Sequence, residues 1–203
     1  TQCHGVWIDK HEIEAVERTP RLRSAMLALN KTNNVASYIF QFITQMPVEY
    51  NLKPKRFPVV TISLIVLNFI IFLLTLTGAI DDETLMHSLV MDPAYLLDAP
   101  WTLISYQFLH GSWLHLLGNM YFLYIIGDNL EDALGRISYL LLYLTFGIVG
   151  GLAFYLVHLG EIAPMVGASG AVAGLFGAYL MLFKKAKLSF MFIVYQARLP
   201  AWA

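Results

Sequence analysis

The stretch Met165–Phe183, MVGASGAVAGLFGAYLMLF, decides how the rest of the chain is read. It holds no charged residue and suits a bilayer, yet Ser169 stands near its start, flanked by Gly167 and Gly170. Small residues recur every four positions: Gly170, Gly174 and Ala178 on one helix face, Ala173 and Gly177 beside it. That spacing lets a neighbouring helix backbone come very close, which is how helices associate in lipid, where no hydrophobic drive remains. The stretch predicts a helix in the middle of a bundle with a hydroxyl at one end. Such a serine ordinarily bonds its own i−4 carbonyl and does nothing else. Any case for chemistry has to come from other parts of the chain.

Composition supports the bilayer. The 203 residues are 58% hydrophobic and 13% charged, against about 45–50% and 25% in a soluble domain. The formal charge of −1 and the lack of a basic stripe give no reason to expect nucleic acid as a partner. A single cysteine, Cys3, rules out a disulfide within these residues. Four segments are apolar enough to span a hydrocarbon core of about 20 residues. They are Pro58–Leu76, Leu114–Ile126 with its flanks, Ile137–Leu159 and the Ser169 segment, and none has Asp, Glu, Lys or Arg inside it. The second is short and has to borrow length from Phe108–Trp113 or from burial in the bundle. The expected class is an all-α, polytopic membrane protein built as a helical bundle.

Basic residues orient the bundle. Lys53, Lys55 and Arg56 precede the first span, Arg136 separates the second and third, and Lys184, Lys185 and Lys187 follow the fourth. The opposite connections, Ala79–Ser112 and Gly160–Pro164, contain no Lys or Arg. The amino end is therefore expected in the cytoplasm and Ser169 near the outer face. The connection Ala79–Ser112 is long and rich in Leu, Met, Tyr and Trp101, which suggests a segment dipping into the interface. Before the first span, Thr19-Pro20 fits a helix start. Lys31–Asn34 breaks that helix, and Val35–Met46 is amphipathic, either on the membrane surface or a plain linker.

Chemistry concentrates in Phe108–Glu131, FLHGSWLHLLGNMYFLYIIGDNLE. His115 and Asn119 are four apart, so a helix puts them on one face. With Ser169 they make three polar side chains at one depth on two spans. Polar groups inside a span are costly and mark a functional interior; the rival reading is hydrogen bonding that glues the bundle.

Three pieces, HGSWLHLLGNM (His110–Met120), GDNLEDALG (Gly127–Gly135) and GASG (Gly167–Gly170), resemble in order and spacing the rhomboid intramembrane serine proteases. The resemblance runs from Phe57 to Trp202 and implies a rhomboid-like bundle with four of six expected spans present. It implies Ser169 as nucleophile and His115 and Asn119 as stabilisers of the oxyanion, with Gly167, Gly170 and Gly174 as motif glycines. His110 is expected to be structural, and Glu131 to accept local hydrogen bonds that set helix positions. The implied partners are membrane-anchored protein substrates cut near the outer face, with no metal or cofactor for proteolysis.

Two features depart from the family pattern. Trp101 is followed by Thr102 where the family often has arginine, and no histidine follows Ser169, whereas the family's general base sits on the sixth span. His158 reads as an interfacial residue, not a substitute base. Both ends look cut, so the chain is read as a fragment whose parent is the protease and which is itself inactive. The alternative is a non-catalytic pseudoprotease that binds membrane-protein clients. A transporter is disfavoured, since neither midplane ionisable groups nor internal repeats are visible.

The first residues carry a second resemblance. Cys3 with Gly5, Trp7, Asp9 and Glu12 resembles the closing half of a zinc-ribbon module. Cys3 is the single remaining candidate ligand there, and one thiolate does not make a four-coordinate zinc site. Zinc is expected only in the intact module. His4 and His11 read as exposed polar residues. The expected organisation is a ribbon remnant over 1–18, a cytoplasmic linker over 19–56 and a membrane domain over 57–203.

Overall fold

A computed structural model describes residues 48–49, 56–183, 187–192 and 195–200. The ribbon remnant with Cys3, both helices expected before the first span, and Lys184–Ala186 lie outside the described residues. Four long helices carry the fold: α1 (Val59–Leu76), α2 (Trp113–Leu134), α3 (Arg136–Val157) and α4 (Ser169–Leu182). They belong to one compact unit.

α1 and α3 are long and apolar enough to cross a membrane, and only 22% and 17% of their apolar windows are buried. A core helix of a soluble protein would be mostly covered. Here Val66, Leu67, Ile70 and Leu74 of α1 and Leu141, Val149 and Leu152 of α3 face outward. In water such surface would be a liability; against lipid it is the expected solvent-facing face.

α2 behaves differently from a simple span. It runs 22 residues, past Ile126 to Leu134, and takes in Asp128, Glu131 and Asp132. Ser112 starts it as an N-cap, its Oγ accepting from the His115 N–H at 3.2 Å. Gly135, at φ +79°, ends α2 and begins α3 in one residue, a conformation open to glycine. The charged end is held by bonds across the bundle. Glu131 is buried and accepts from the N–H groups of Val60 (3.0 Å) and Thr61 (2.8 Å) and from Thr61 Oγ1 (3.0 Å). These partners stand about 70 positions earlier, so the local bonding expected of Glu131 is corrected. It caps α1, whose own N-cap position, Pro58, offers no side-chain acceptor.

α3 and α4 pack along the small-residue face. A β-carbon on Gly150 would come 3.1 Å from the Gly170 Cα, and one on Gly174 would run into the Phe146 ring. The close approach expected from Gly170 and Gly174 is present. Gly177 faces open space. α4 is 14 residues long, roughly 21 Å, shorter than the stretch from Met165 suggested. Residues Met165–Gly167 lie outside the helix instead, and Met165 exchanges two backbone hydrogen bonds with Met91.

That bridge ties down the long connection between α1 and α2. Val90, Met91, Leu96, Ala99 and Tyr106 of this connection are buried, while Tyr95, Leu97, Trp101 and Ile104 stay exposed. Met91, Leu96 and Tyr106 form a core cluster against Leu103, Phe154, Tyr155 and Met165. Part of the segment expected to dip into the interface therefore packs on the bundle itself.

A second unit contains a three-stranded antiparallel sheet: β1 (Val48–Glu49), β2 (Lys187–Phe192) and β3 (Tyr195–Pro200), in the order β1-β2-β3. Phe190 pairs with Ala197 and Leu188 with Leu199 in the hairpin. No strand is expected here from the sequence, which reads as all-α.

Candidate functional site

The site is assembled where the start of α2 meets the start of α4. Gly167 adopts φ +122°, on the side of backbone space where side chains strain, and its N–H donates to the Tyr106 carbonyl at 2.9 Å. A β-carbon there would sit 2.6 Å from both Cε1 and Nε2 of His115 and 3.7 Å from Asn119 Nδ2. The expected pair therefore lies directly against the loop that delivers Ser169. Two residues on, Ser169 is the first residue of α4 and is exposed, between buried Ala168 and half-buried Gly170. The first helical hydrogen bond of α4 runs from Val172 N–H to the Ala168 carbonyl. The N–H groups of Ser169, Gly170 and Ala171 precede it and point out of the helix start, with the positive end of its dipole.

Asn119 is 8% exposed, and its Nδ2 has no acceptor among the described residues. A buried amide donor left unpaired costs about 1–3 kcal/mol, so an acceptor arriving from outside would relieve it. His110 packs edge-on against the His115 ring, centroids 5.1 Å apart. His110 is buried, and neither ring nitrogen has a hydrogen-bond partner among the described residues. Burial, and secondarily the neighbouring His115, pushes its pKa down to about 4. It is neutral at pH 7 and buttresses the His115 ring without competing for charge.

This depression has a stability consequence. Unfolded His110 titrates near its ordinary 6.5 and folded His110 near 4, so between those values the unfolded chain binds more protons. The contribution is fully present above pH 6.5 and is lost as pH falls towards 4. In full it amounts to roughly 3 kcal/mol. Detergent-solubilised protein is expected to lose thermal stability over this window, with the loss reduced in His110→Leu. An equal slope in both proteins would refute it.

Tyr106 was not anticipated from sequence. Fully buried, it accepts from Gly167 N–H through its carbonyl and donates from its OH to the Gly147 carbonyl at 2.7 Å. It thus links α3 to the loop before Ser169. Nothing marks it in sequence, because a tyrosine in an aromatic-rich outer loop reads as an interfacial anchor. His158 stacks on Phe154 at the end of α3, as an interfacial residue would. Trp101 donates from its Nε1 to the Ser88 carbonyl, and Thr102 is buried with its Oγ1 on the Ala99 carbonyl. Among the described residues no three His, Cys, Asp or Glu side chains gather as a metal site.

The helices and this junction define a multi-pass membrane bundle with a serine at a helix start, two residues after a glycine packed against a His/Asn pair. The chain belongs to the rhomboid family: residues 98–203, more than half of it, match the Rhomboid domain. It is 39% identical over 82 residues to YdcA of Bacillus subtilis, named provisionally as a rhomboid protease (40% of this chain, 41% of that one). It is 44% identical over 80 residues to RHOMBOID-like protein 5 of Arabidopsis thaliana (39% and 26%). Against the human mitochondrial presenilin-associated rhomboid-like protein it is 26% identical over 134 residues (64% and 35%). The matches span less than half the length of each of these relatives.

Proposed function

We propose that the protein is an intramembrane serine endopeptidase acting on membrane-anchored proteins near the outer membrane face, with its amino end in the cytoplasm. Ser169 Oγ attacks the scissile carbonyl carbon. A new C–O bond forms as the carbonyl π bond opens, and negative charge develops on the carbonyl oxygen. His115, Asn119 Nδ2 and the Ser169 N–H donate to that oxygen. Preorganised donors of this kind act strongly where water is scarce. Collapse of the tetrahedral intermediate breaks the C–N bond, the amine leaves with the proton the base took from Ser169, and water then hydrolyses the acyl-enzyme. The observation that carries the reading is Asn119 Nδ2, buried without an acceptor, beside the His115 ring packed on Gly167.

The serine needs a base to take its proton. None of the six histidines of this sequence follows Ser169, and His115 is engaged against Gly167, so the reading takes its base from outside residues 1–203. The test is a fluorophosphonate probe applied to the protein expressed in membranes from its own gene, with the adduct mapped by mass spectrometry. A single adduct on Ser169 is expected. No adduct, or one elsewhere, would sink the proposal and favour a non-catalytic, client-binding rhomboid.

Substrate choice follows from the chemistry. A helical peptide bond has its carbonyl occupied by the helix ladder, so a cleavable site has to unwind first. Glycine lowers helix stability by about 1 kcal/mol, or roughly fivefold in the unwound population. Replacing each glycine at a cleaved site by alanine or leucine is expected to slow cleavage by about that factor. Faster cleavage of the stiffened series would contradict the mechanism.

A further inference from the structure

At the opposite end of the bundle from Ser169, where α1 begins and α2 hands over to α3, lies a cavity of about 500 Å³. That is within the range of roughly 300–1,000 Å³ typical of ligand sites. Two arginines line it, Arg56 and Arg136. Arg56 is exposed and has no carboxylate partner among the described residues. Arg136 reaches Glu131 only through Nε, at 3.8 Å, and its side chain is 61% exposed. The outer edge of its guanidinium fork is thus left for another acceptor.

Two further features favour an anion there. Arg136, Ile137 and Ser138, all lining the cavity, are the first residues of α3, and no side chain caps that helix. Their N–H groups precede the first bond of the ladder, Tyr139 N–H to the Gly135 carbonyl. Glu131 is already committed to three donors at the start of α1. Asp132 also lines the cavity and is itself engaged in an interaction of its own.

The walls select the source of the phosphate. Phe57 is 70% exposed and Ile137 78%, and both line the cavity at the ends of helices that are apolar onward into the bilayer. That is the headgroup level, where basic pockets between spans hold lipid phosphates. We propose that this cavity binds the phosphodiester of a glycerophospholipid, through Arg56, Arg136 and the open start of α3, with the acyl chains running along Phe57 and Ile137. Nothing in it depends on Ser169, so its failure would leave the protease reading untouched.

The test is native mass spectrometry of the full chain, delipidated in mild detergent. It is titrated separately with phosphatidylethanolamine, with diacylglycerol of the same acyl chains, and with phosphatidylethanolamine in the presence of millimolar inorganic phosphate. One tightly retained phosphatidylethanolamine is expected, without retention of diacylglycerol and without displacement by phosphate. Arg56→Gln removes no hydrogen bond or ion pair among the described residues and is expected to weaken binding about tenfold, one charge-assisted bond's worth. Arg136→Lys keeps the countercharge to Glu131 but loses the fork, and is expected to weaken it as well. Wild-type binding in both variants would overturn the proposal. So would equal retention of diacylglycerol, and displacement by phosphate would make the cavity a free-anion site only.

Discussion

On the protease reading, exchange of Ser169 for alanine in the protein expressed from its own gene is expected to lower cleavage of a membrane-anchored substrate by about 10⁶ in turnover, the usual cost of removing a serine nucleophile. Gly167→Ala should leave the nucleophile in place and still cost roughly 10²–10³, the loss associated with one displaced oxyanion donor. Two observations set that second figure. The new β-carbon would be 2.6 Å from His115 Cε1 and Nε2, about an ångström inside ordinary contact, and the backbone sits at φ +122°, which alanine tolerates poorly. Relief requires either the imidazole or the loop to move by nearly that distance. A misplacement of about 1 Å at a reacting centre costs on the order of 10². Gly177→Ala is the matched control, since among the described residues nothing lies within 4 Å of its β-carbon position, and it is expected to keep full activity. Turnover with a fluorogenic transmembrane substrate decides the matter. Gly167→Ala retaining half of wild-type turnover, with an unchanged melting temperature, would mean that His115 contributes nothing to the oxyanion.

Much of this arrangement is legible in the sequence, for physical reasons that differ by element. α1 and α3 follow from apolar runs with no interior charge, and the close approach of a neighbouring helix at Gly170 and Gly174 from small residues at fourfold spacing; that the neighbour is Gly150 of α3 does not. The pairing of His115 with Asn119 follows from helical periodicity alone. What escapes is set by contacts between residues distant in sequence. The start of α4 moves from Met165 to Ser169 because Met165 pairs with Met91 and Gly167 with Tyr106, and no local pattern announces either bond. α2 continues beyond Ile126 because Glu131 finds its donors on α1. The hairpin at Lys187–Pro200 was missed because a short apolar run such as FMFIVY has the composition of a span and the length of a strand, and composition alone does not separate them. The oxyanion assignment came from spacing plus family resemblance. The geometry adds the unpaired Asn119 amide, which spacing has no means of revealing.

The same long-range logic gives Glu131 a large share in stability. Glu131→Ala is expected to destabilise the bundle by about 3–5 kcal/mol, the cost of removing one partner from a buried charged network. The ion pair is the lesser part. Arg136 stands 3.8 Å away and is 61% exposed, so its share is at most about 1 kcal/mol. The larger part is the loss of the acceptor for Val60 N–H, Thr61 N–H and Thr61 Oγ1, each bonded to a charged group and therefore worth about 1.5–3 kcal/mol before non-additivity. Those donors sit at the start of a membrane-crossing helix whose own N-cap residue, Pro58, offers no side-chain acceptor, so few others replace the lost one. Three variants separate the contributions. Glu131→Gln keeps one oxygen acceptor and should recover about half of the loss, whereas Arg136→Gln should cost less than about 1 kcal/mol. Unfolding of the purified protein in mixed micelles by increasing SDS reads all three. If Arg136→Gln proves as damaging as Glu131→Ala, the ion pair and not the cap holds α1 to α2, and the order of forces argued here is reversed.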